Sequence, residues 1–177
     1  ATLIDCSHDY VQIGDDVATH FAKAGASAVL VLRRPGKHSY QEAMVTQLSL
    51  RLAAAGFDVI SRQSDGSAVG QALTVAEAMA ELEIDGVFNL GGRLSSVVDA
   101  LRSQGLEPAE SAARDCVVVV NQSDTLGDQI GLGVVTLLKL QGGQMGIDIG
   151  DHIVAAISGR PTEHVTFEHA LAVIDQR

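Results

Sequence analysis

The chain has 177 residues, of which 46% are apolar and 3% aromatic, and this length is sufficient for one sizeable hydrophobic core. Its formal net charge of −10 at pH 7 argues against nucleic-acid binding by this stretch, because neutralising phosphates requires clustered Lys and Arg. No apolar run approaches the roughly 20 residues that a membrane-spanning helix needs. We therefore predict a globular protein that contacts neither nucleic acid nor a membrane directly.

The first part of the chain alternates apolar runs with helical patterns. Residues 1–6 are prone to form a strand, and residues 9–23 carry apolar side chains at helical spacing. The continuous apolar run at 28–32 is typical of a strand buried on both faces. A polar turn follows, and Ser39 with Glu42 three residues later has the pattern of a capping box at the start of a second helix.

The same alternation continues through the middle of the chain. The second helix is predicted to end near Ala55, and strands are predicted at 57–61 and 84–90 with an Ala-rich helix at 70–82 between them. A further strand is predicted at 116–120, CVVVV. Strands that alternate with helices of about 10 to 15 residues form βαβ units. We therefore predict an α/β protein with a three-layer, Rossmann-like parallel sheet.

The last part of the chain departs from this alternation. An apolar run at 134–140 is followed by a glycine break at 142–144, an amphipathic helix at 145–158 and an extended segment at 164–174. A helix and a strand that follow a complete parallel sheet often belong to a neighbouring lobe. We predict that this extra C-terminal helix and strand do so.

The ligand site is expected where the strands end. In an open parallel sheet the carboxyl ends of the strands form the ligand crevice. The stretch 84–101, IDGVFNLGGRLSSVVDAL, predicts a strand, a turn and a helix, and its turn carries Asn89 and Arg93. The motifs GxSxG, HExxH and CxxC are absent from the sequence, and no other catalytic constellation is recognisable. The polar strand ends therefore favour hydrogen bonding to a small polar ligand, without catalytic residues or a cofactor.

Two other kinds of site fit the sequence less well. Gly91 and Gly92 could hold a phosphate at a helix N-terminus, but the turn is not GxGxxG and lacks a Walker lysine, so a nucleotide-binding Rossmann-like enzyme is a less favoured alternative. His164 and His169 resemble metal ligands, but residues five apart in a strand point to opposite faces. We predict no metal site.

Localisation is predicted from the cysteines and the N-terminus. Cys6 and Cys116 lie far apart and are interpreted as two reduced core thiols. The first residues, ATLIDCSHDY, lack the basic and apolar regions of a signal peptide. Both observations favour a cytoplasmic protein, although an exported protein would also have lost its signal on processing.

The order of these segments resembles the effector-binding region of LacI/GalR-type bacterial transcriptional regulators and the closely similar periplasmic sugar-binding proteins. Nearly the whole chain takes part, and order and spacing carry more weight than any single residue. The stretches that carry the resemblance are DYVQIGDDVATHFAKAGASAVLVL, RRPGKHSYQEAM, AAGFDV, IDGVFNLGGRLSSVVDALRSQGL, RDCVVVVNQSD and GIDIGDHIVAAISGRPTEHVTFEHALAVI.

The resemblance implies half of a periplasmic-binding-protein-like fold of type I, in which two Rossmann-like lobes enclose a sugar or nucleobase. It assigns 1–8 to a crossover strand from a missing first lobe, 9–140 to the C-terminal effector-binding lobe, and 141–177 to a helix and strand that return to the first lobe. The implied function is binding of a sugar-like effector that allosterically controls DNA binding by a head absent from this chain. The alternative is a periplasmic sugar-binding protein of an ABC transporter.

The same resemblance implies partners and site residues. The helix at 145–158, without its usual sheet, would favour association between copies, and we expect a homodimer. Gln41 and Glu42 occupy the neighbourhood of the family's usual Arg, and Asn121 replaces its usual Asp. The predicted ligand-binding residues are Gln41, Glu42, Asp65, Asn89, Arg93, Asn121, Asp124 and Gln141.

Overall fold

A computed structural model of the protein describes residues 6–33, 35–36, 39–91, 93–113, 115–122, 132–140, 142–160, 165–167 and 169–176. The helices and strands of these residues alternate along most of the chain. In chain order they are β1 (Cys6–His8), α1 (Tyr10–Ala24), β2 (Ala28–Arg33), α2 (Ser39–Ala54), β3 (Asp58–Gln63), α3 (Ala68–Glu81), β4 (Gly86–Asn89), α4 (Leu94–Ser103), β5 (Val117–Gln122), β6 (Gly133–Leu140), α5 (Gly142–Ile157), β7 (Val165–Phe167) and β8 (His169–Gln176).

The main sheet has six strands in the order β3-β2-β4-β5-β6-β8. Its first five strands are parallel, and β8 pairs antiparallel with β6 at the edge. A separate two-stranded parallel pair joins β1 and β7. The predicted Rossmann-like parallel sheet with helical layers is confirmed.

Helices cover both faces of the main sheet. Val29 and Val31 of β2 pack with the buried side chains of α1 and α2, whereas Leu30 and Leu32 pack with those of α3 and α4. Side chains alternate between faces along a strand, so a strand covered on both sides must be apolar throughout. The continuous run at 28–32 therefore has the buried position that its composition predicts.

The ends of α1 show how the sequence sets a helix boundary. The carboxylate of Asp9 accepts a hydrogen bond from the backbone N–H of Gln12 at 2.9 Å and caps the N-terminus. Gly25 ends the helix in the left-handed conformation, with φ of 80°. A residue with a Cβ is strained in this conformation, so glycine is the usual residue there.

The C-terminal part differs from the prediction in two respects. α5 begins at Gly142, ahead of the predicted start, because glycine lowers helix propensity by about 1 kcal/mol without forbidding the helical conformation. The predicted single extended segment consists of two strands with different partners, since β7 pairs with β1 and β8 with β6.

The position of β8 corrects one part of the sequence interpretation. The sequence assigned the last strand to a segment that returns to another lobe, but β8 lies in the main sheet. Leu171 and Ile174 explain this position, because they pack against the buried clusters on opposite faces of that sheet. The predicted boundaries at 1–8, 9–140 and 141–177 otherwise stay predictions.

α5 presents apolar side chains to solvent. Ile157 is 82% exposed, and Ile147 and Val154 are also more than half exposed. Exposed contiguous apolar surface of this kind is typical of an interaction site. None of the described helices is both long and apolar enough to cross a membrane.

Gly150→Ala in α5 is expected to raise the free energy of unfolding by about 0.5–1 kcal/mol, because alanine loses less backbone entropy in a helix than glycine. A Cβ at Gly150 would meet no heavy atom within 4 Å. Urea denaturation measures the change. Gly159→Ala is the matched control, since a Cβ there is equally free of contacts but φ is 69°, and it is expected to destabilise. Equal effects of both substitutions would contradict the placement of Gly150 inside a helix.

Candidate functional site

The order in which the chain adds strands to the main sheet reverses at β2, so that successive strands lie first on one side of β2 and then on the other. From β2 the chain passes through α2 to β3 on one side, and α3 then leads to β4 on the other side of β2. The carboxyl ends of β2 and β4 are Arg33 and Asn89. Such a reversal leaves a crevice between the two strand ends, where open α/β sheets bind ligands.

Asn89 is held in a buried hydrogen-bond network at the end of β4. Its Oδ1 accepts hydrogen bonds from Nε2 of Gln71 and from the backbone N–H of Gly91, both at 3.3 Å. Oε1 of Gln71 accepts a third bond from the backbone N–H of Arg93 at 2.9 Å. Gln71 and Asn89 are both 0% exposed. The network therefore ties α3 to the turn between β4 and α4.

Two side-chain amide atoms at the strand ends are buried without a hydrogen-bond partner in the described part of the chain. They are Nδ2 of Asn89, a donor, and Oδ1 of Asn121, an acceptor. Leaving such an atom unpaired costs about 1–3 kcal/mol, so almost all buried polar groups in native proteins have a partner. Asn121 follows Val120, the neighbour of Asn89 across β4 and β5, so the two amides point to opposite faces of the sheet edge.

Arg33 forms an ion pair beside this edge. Its Nη1 donates to both carboxylate oxygens of Glu42, at 3.0 and 3.2 Å, while its Nε is buried without a partner among the described residues. The pair links the end of β2 to the first turn of α2, where Gln41 is buried. The carboxylate of Glu42, predicted as a ligand contact, is thus engaged by a residue that the sequence analysis did not select.

Asp65 stabilises the loop between β3 and α3. Its exposed carboxylate accepts from the hydroxyl and from the backbone N–H of Ser67, both at 2.8 Å. These two bonds, the hydroxyl contributing most, lower the pKa of Asp65. The hydroxyl oxygen of Ser67 accepts from the backbone N–H of Gly70 at 2.9 Å and caps α3.

Of the remaining predicted ligand residues, one lies at the start of α4 and two lie outside the described residues. Arg93 has an exposed side chain at the N-cap of α4, and its backbone N–H is bound to Gln71. Asp124 and Gln141 lie outside the described residues. The structure thus brings Asn89, the backbone of Arg93 and the end of β5 to one edge, and a ligand role for each predicted residue stays a prediction.

Gln71 is a member of this site that the sequence analysis missed. It lies on the same face of α3 as Val75 and Ala78, both of which are buried. Residues at i, i+4 and i+7 share one face of a helix. A glutamine on an otherwise apolar face was therefore a signal in the sequence, because a buried amide needs partners.

Two histidines, one on β8 and one on α1, contact polar side chains that are far away in sequence. Nε2 of His169 lies 2.8 Å from Oδ2 of Asp16, and Nε2 of His20 lies 2.9 Å from the hydroxyl of Thr136. Burial lowers the pKa of His20. In the part of the chain that the structure describes, no three His, Cys, Asp or Glu side chains are grouped to hold a metal ion. His164 lies outside that part.

A groove of about 490 Å³ opens at the opposite, amino-terminal edge of the sheet. Its lining includes Asp85, whose carboxylate accepts hydrogen bonds from the backbone N–H groups of Ser27 and Ala28 and from the Ser27 hydroxyl, at 2.8–2.9 Å. The carboxylate of Asp85 therefore anchors the start of β2. The unpartnered amide atoms of Asn89 and Asn121 lie at the other edge, which is the candidate ligand site.

Cys116 is expected to react with a thiol reagent at least about tenfold more slowly in the native than in the unfolded chain, because only the thiolate is nucleophilic. It is a buried free thiol. Burial, with smaller contributions from the charges of Asp85 and Asp115, raises its pKa to about 12. Labelling of a Cys6→Ser variant with a chromogenic disulfide at pH 8 measures Cys116 separately. Fast native labelling would contradict this burial.

Comparison with solved structures shows which known proteins share this fold. The chain is similar to a LacI family transcriptional regulator from Arthrobacter sp. FB24 in complex with lactose, at 16% identity and a TM-score of 0.74 over 97% of this chain. It is also similar to the Escherichia coli transcriptional repressor ascG, at 14% identity and a TM-score of 0.75 over 96% of this chain.

A transport protein shares the same fold. The chain matches a periplasmic ribose ABC transporter protein from Conexibacter woesei DSM 14684 at 13% identity, with a TM-score of 0.70 over 99% of this chain. It spans between 60 and 65% of the length of these three proteins. No family model and no curated protein sequence matches the chain. At the level of the fold, the resemblance to the effector-binding region of LacI-type regulators is confirmed.

Proposed function

We propose that this chain is the effector-binding lobe of a LacI/GalR-type transcriptional regulator and binds a small sugar at the carboxyl edge of its sheet. The observation that carries this proposal is the amide of Asn89, whose buried Nδ2 has no acceptor among the described residues at the end of β4. A ligand oxygen at this point would complete its hydrogen bonding. The position agrees with the crevice at the reversal between β2 and β4.

Sugar hydroxyl groups suit the polar atoms of this edge. A hydroxyl both donates and accepts, so a sugar hydroxyl can accept the hydrogen bond that Nδ2 of Asn89 offers. Oδ1 of Asn121 points to the opposite face and would need a different hydroxyl. The guanidinium of Arg33 is neutralised by Glu42, and the whole chain carries a net charge of −10, which disfavours an anionic ligand. The similar Arthrobacter regulator holds lactose. A neutral sugar is therefore the ligand class that we favour.

Regulation would follow from closure of a second lobe over this edge. In our proposal, residues outside this 177-residue sequence supply the second lobe and the DNA-binding head. A sugar bound between the two lobes favours their closed arrangement. The exposed apolar face of α5 would contact the second lobe or the other subunit of a homodimer. The protein would act in the cytoplasm, as a binding protein without catalysis.

A periplasmic sugar-binding protein of an ABC transporter is the second candidate, supported by the likeness to the Conexibacter protein. Both candidates bind sugar at the same edge. They differ in what the sugar controls, because only a regulator changes its affinity for operator DNA when the sugar binds. Measuring operator binding with and without sugar, on the protein together with its flanking residues, separates them.

Isothermal titration calorimetry with lactose, galactose, glucose and ribose tests sugar binding. At least one sugar is expected to give saturable heat, and Asn89→Ala is expected to weaken binding about tenfold or more, since a buried hydrogen bond to the ligand is lost. Gln104→Ala removes an exposed amide far from this edge and serves as the matched control. Absence of heat with all four sugars, or equal weakening by both variants, would contradict the proposed function.

A further inference from the structure

We propose that Gln71 is a positioning residue that fixes the hydrogen-bond polarity of Asn89, so that the site selects ligands presenting a hydrogen-bond acceptor at this point. The inference rests on the proposed function, because it concerns the same ligand. It goes further by stating that the ligand must present a hydrogen-bond acceptor to Asn89. The residue that imposes this requirement is Gln71, which is not among the predicted ligand contacts.

Two backbone groups orient the network from both ends. A backbone N–H can only donate, so the bond from Arg93 N–H requires the oxygen of Gln71 at that end. The same argument at Gly91 requires the oxygen of Asn89. With both amides oriented in this way, Nε2 of Gln71 faces Oδ1 of Asn89. The bond between the two side chains therefore has one donor and one acceptor, as the two backbone groups require.

The orientation leaves one group of Asn89 for a ligand. Its oxygen already accepts two bonds, from Gln71 and Gly91, whereas its Nδ2 has no partner among the described residues. Asn89 is 0% exposed, so water does not compete freely for this donor. A hydroxyl, ether or carbonyl oxygen of a ligand would be a suitable acceptor for this donor. An ammonium or amide N–H would face a donor, and the two unpaired groups would disfavour binding.

Gln71→Glu is expected to invert this polarity. At a pH where the introduced carboxyl group is ionised, it still accepts the hydrogen bond from Arg93 N–H but has no hydrogen to donate to Asn89. Asn89 is then expected to turn, donating its Nδ2 to the carboxylate and presenting Oδ1 to the crevice. Gly91 N–H loses its acceptor in this arrangement, so some loss of stability is expected as well.

The first arm of the test needs no ligand. In the isotope-labelled 177-residue chain, scalar couplings across hydrogen bonds are measured by NMR between backbone nitrogens and side-chain carbonyl carbons. Couplings are expected from Arg93 N to Cδ of Gln71 and, weaker because of its longer bond, from Gly91 N to Cγ of Asn89. Gln71→Leu removes the first coupling. If Arg93 N couples to no side-chain carbonyl in the wild-type chain, the orientation is wrong and the proposal is overturned.

The second arm uses methyl β-lactoside and its monodeoxy and monofluoro analogues. Fluorine accepts hydrogen bonds but cannot donate them. At the hydroxyl that meets Asn89, the wild-type chain is expected to bind the fluoro analogue within a few-fold of the parent and the deoxy analogue about tenfold more weakly. In Gln71→Glu the fluoro analogue is expected to lose about tenfold relative to the parent, because it now faces Oδ1.

The affinity for the fluoro analogue divided by the affinity for the parent lactoside shows whether Gln71 positions Asn89 or only stabilises the fold. A structural defect in Gln71→Glu would weaken both compounds equally and leave the ratio unchanged, which would overturn the proposal. If the wild-type chain shows both couplings but binds none of the lactosides, the proposed sugar ligand is overturned, while the polarity of Asn89 stands. The failure of the two proposals is thus distinguishable.

Discussion

Phe21→Ala is expected to lower the free energy of unfolding by about 3–5 kcal/mol, because it removes a large, completely buried ring and leaves a cavity. Phe21 lies on the face of α1 that covers the main sheet. Its ring centroid is 6.4 Å from that of Phe57, in an edge-to-face arrangement. Urea denaturation followed by circular dichroism measures the loss.

Gly86→Ala tests the same contact from the sheet. A Cβ at Gly86 would lie 2.9 Å from Cε1 of Phe21 and 3.1 Å from Cγ2 of Val29, so a loss of about 1–3 kcal/mol is expected. In the double variant Phe21→Ala/Gly86→Ala the new methyl group enters the cavity, and the total loss is expected to be smaller than the sum. Additive losses would show that Phe21 does not pack against Gly86.

Gln71→Leu is expected to cost roughly 2–4 kcal/mol, because the backbone N–H of Arg93 and the oxygen of Asn89 both lose a buried partner. Leucine has a similar volume, so the cost reflects hydrogen bonds more than packing. The double variant Gln71→Leu/Asn89→Leu is expected to lose less than the sum of the single variants, since the two amides belong to one network.

Gln104→Leu is the control for this change. Gln104 is exposed at the end of α4, and an exposed substitution of this kind is expected to alter stability by less than about 0.5 kcal/mol. A loss below about 1 kcal/mol for Gln71→Leu, or a loss equal to that of the control, would mean that the network does not support the turn before α4.

The architecture of the main sheet could be predicted from local patterns. The apolar run at 28–32 indicated a strand covered on both faces, and Gly25 indicated the end of α1. Both features depend on neighbouring residues only. The pairing of β8 with β6 could not be predicted in this way, because an antiparallel edge strand is selected by side chains far away in sequence.

The candidate site was predicted only in part. Asn89 was identifiable because it ends a buried strand at a turn. The partner of Asn89 on α3 lies 18 residues earlier, and the ion pair of Arg33 with Glu42 depends on how α2 starts. Such contacts are set by the packing of helices on the sheet, which sequence spacing does not specify. Asp65 was predicted to contact the ligand, and this stays a prediction, while its bonds to Ser67 stabilise the loop itself.

Binding of a sugar at the carboxyl edge of the sheet, through the amide of Asn89, is tested most directly by titrating the isotope-labelled chain with lactose. NMR of backbone and side-chain amides follows the titration. If the sugar binds there, we expect saturable shifts of the Asn89 side-chain NH₂ signals together with the backbone signals of Gly91 and Asn121. Shifts confined to the groove around Ser27 and Asp85 at the opposite edge, or no shifts at all, would contradict it.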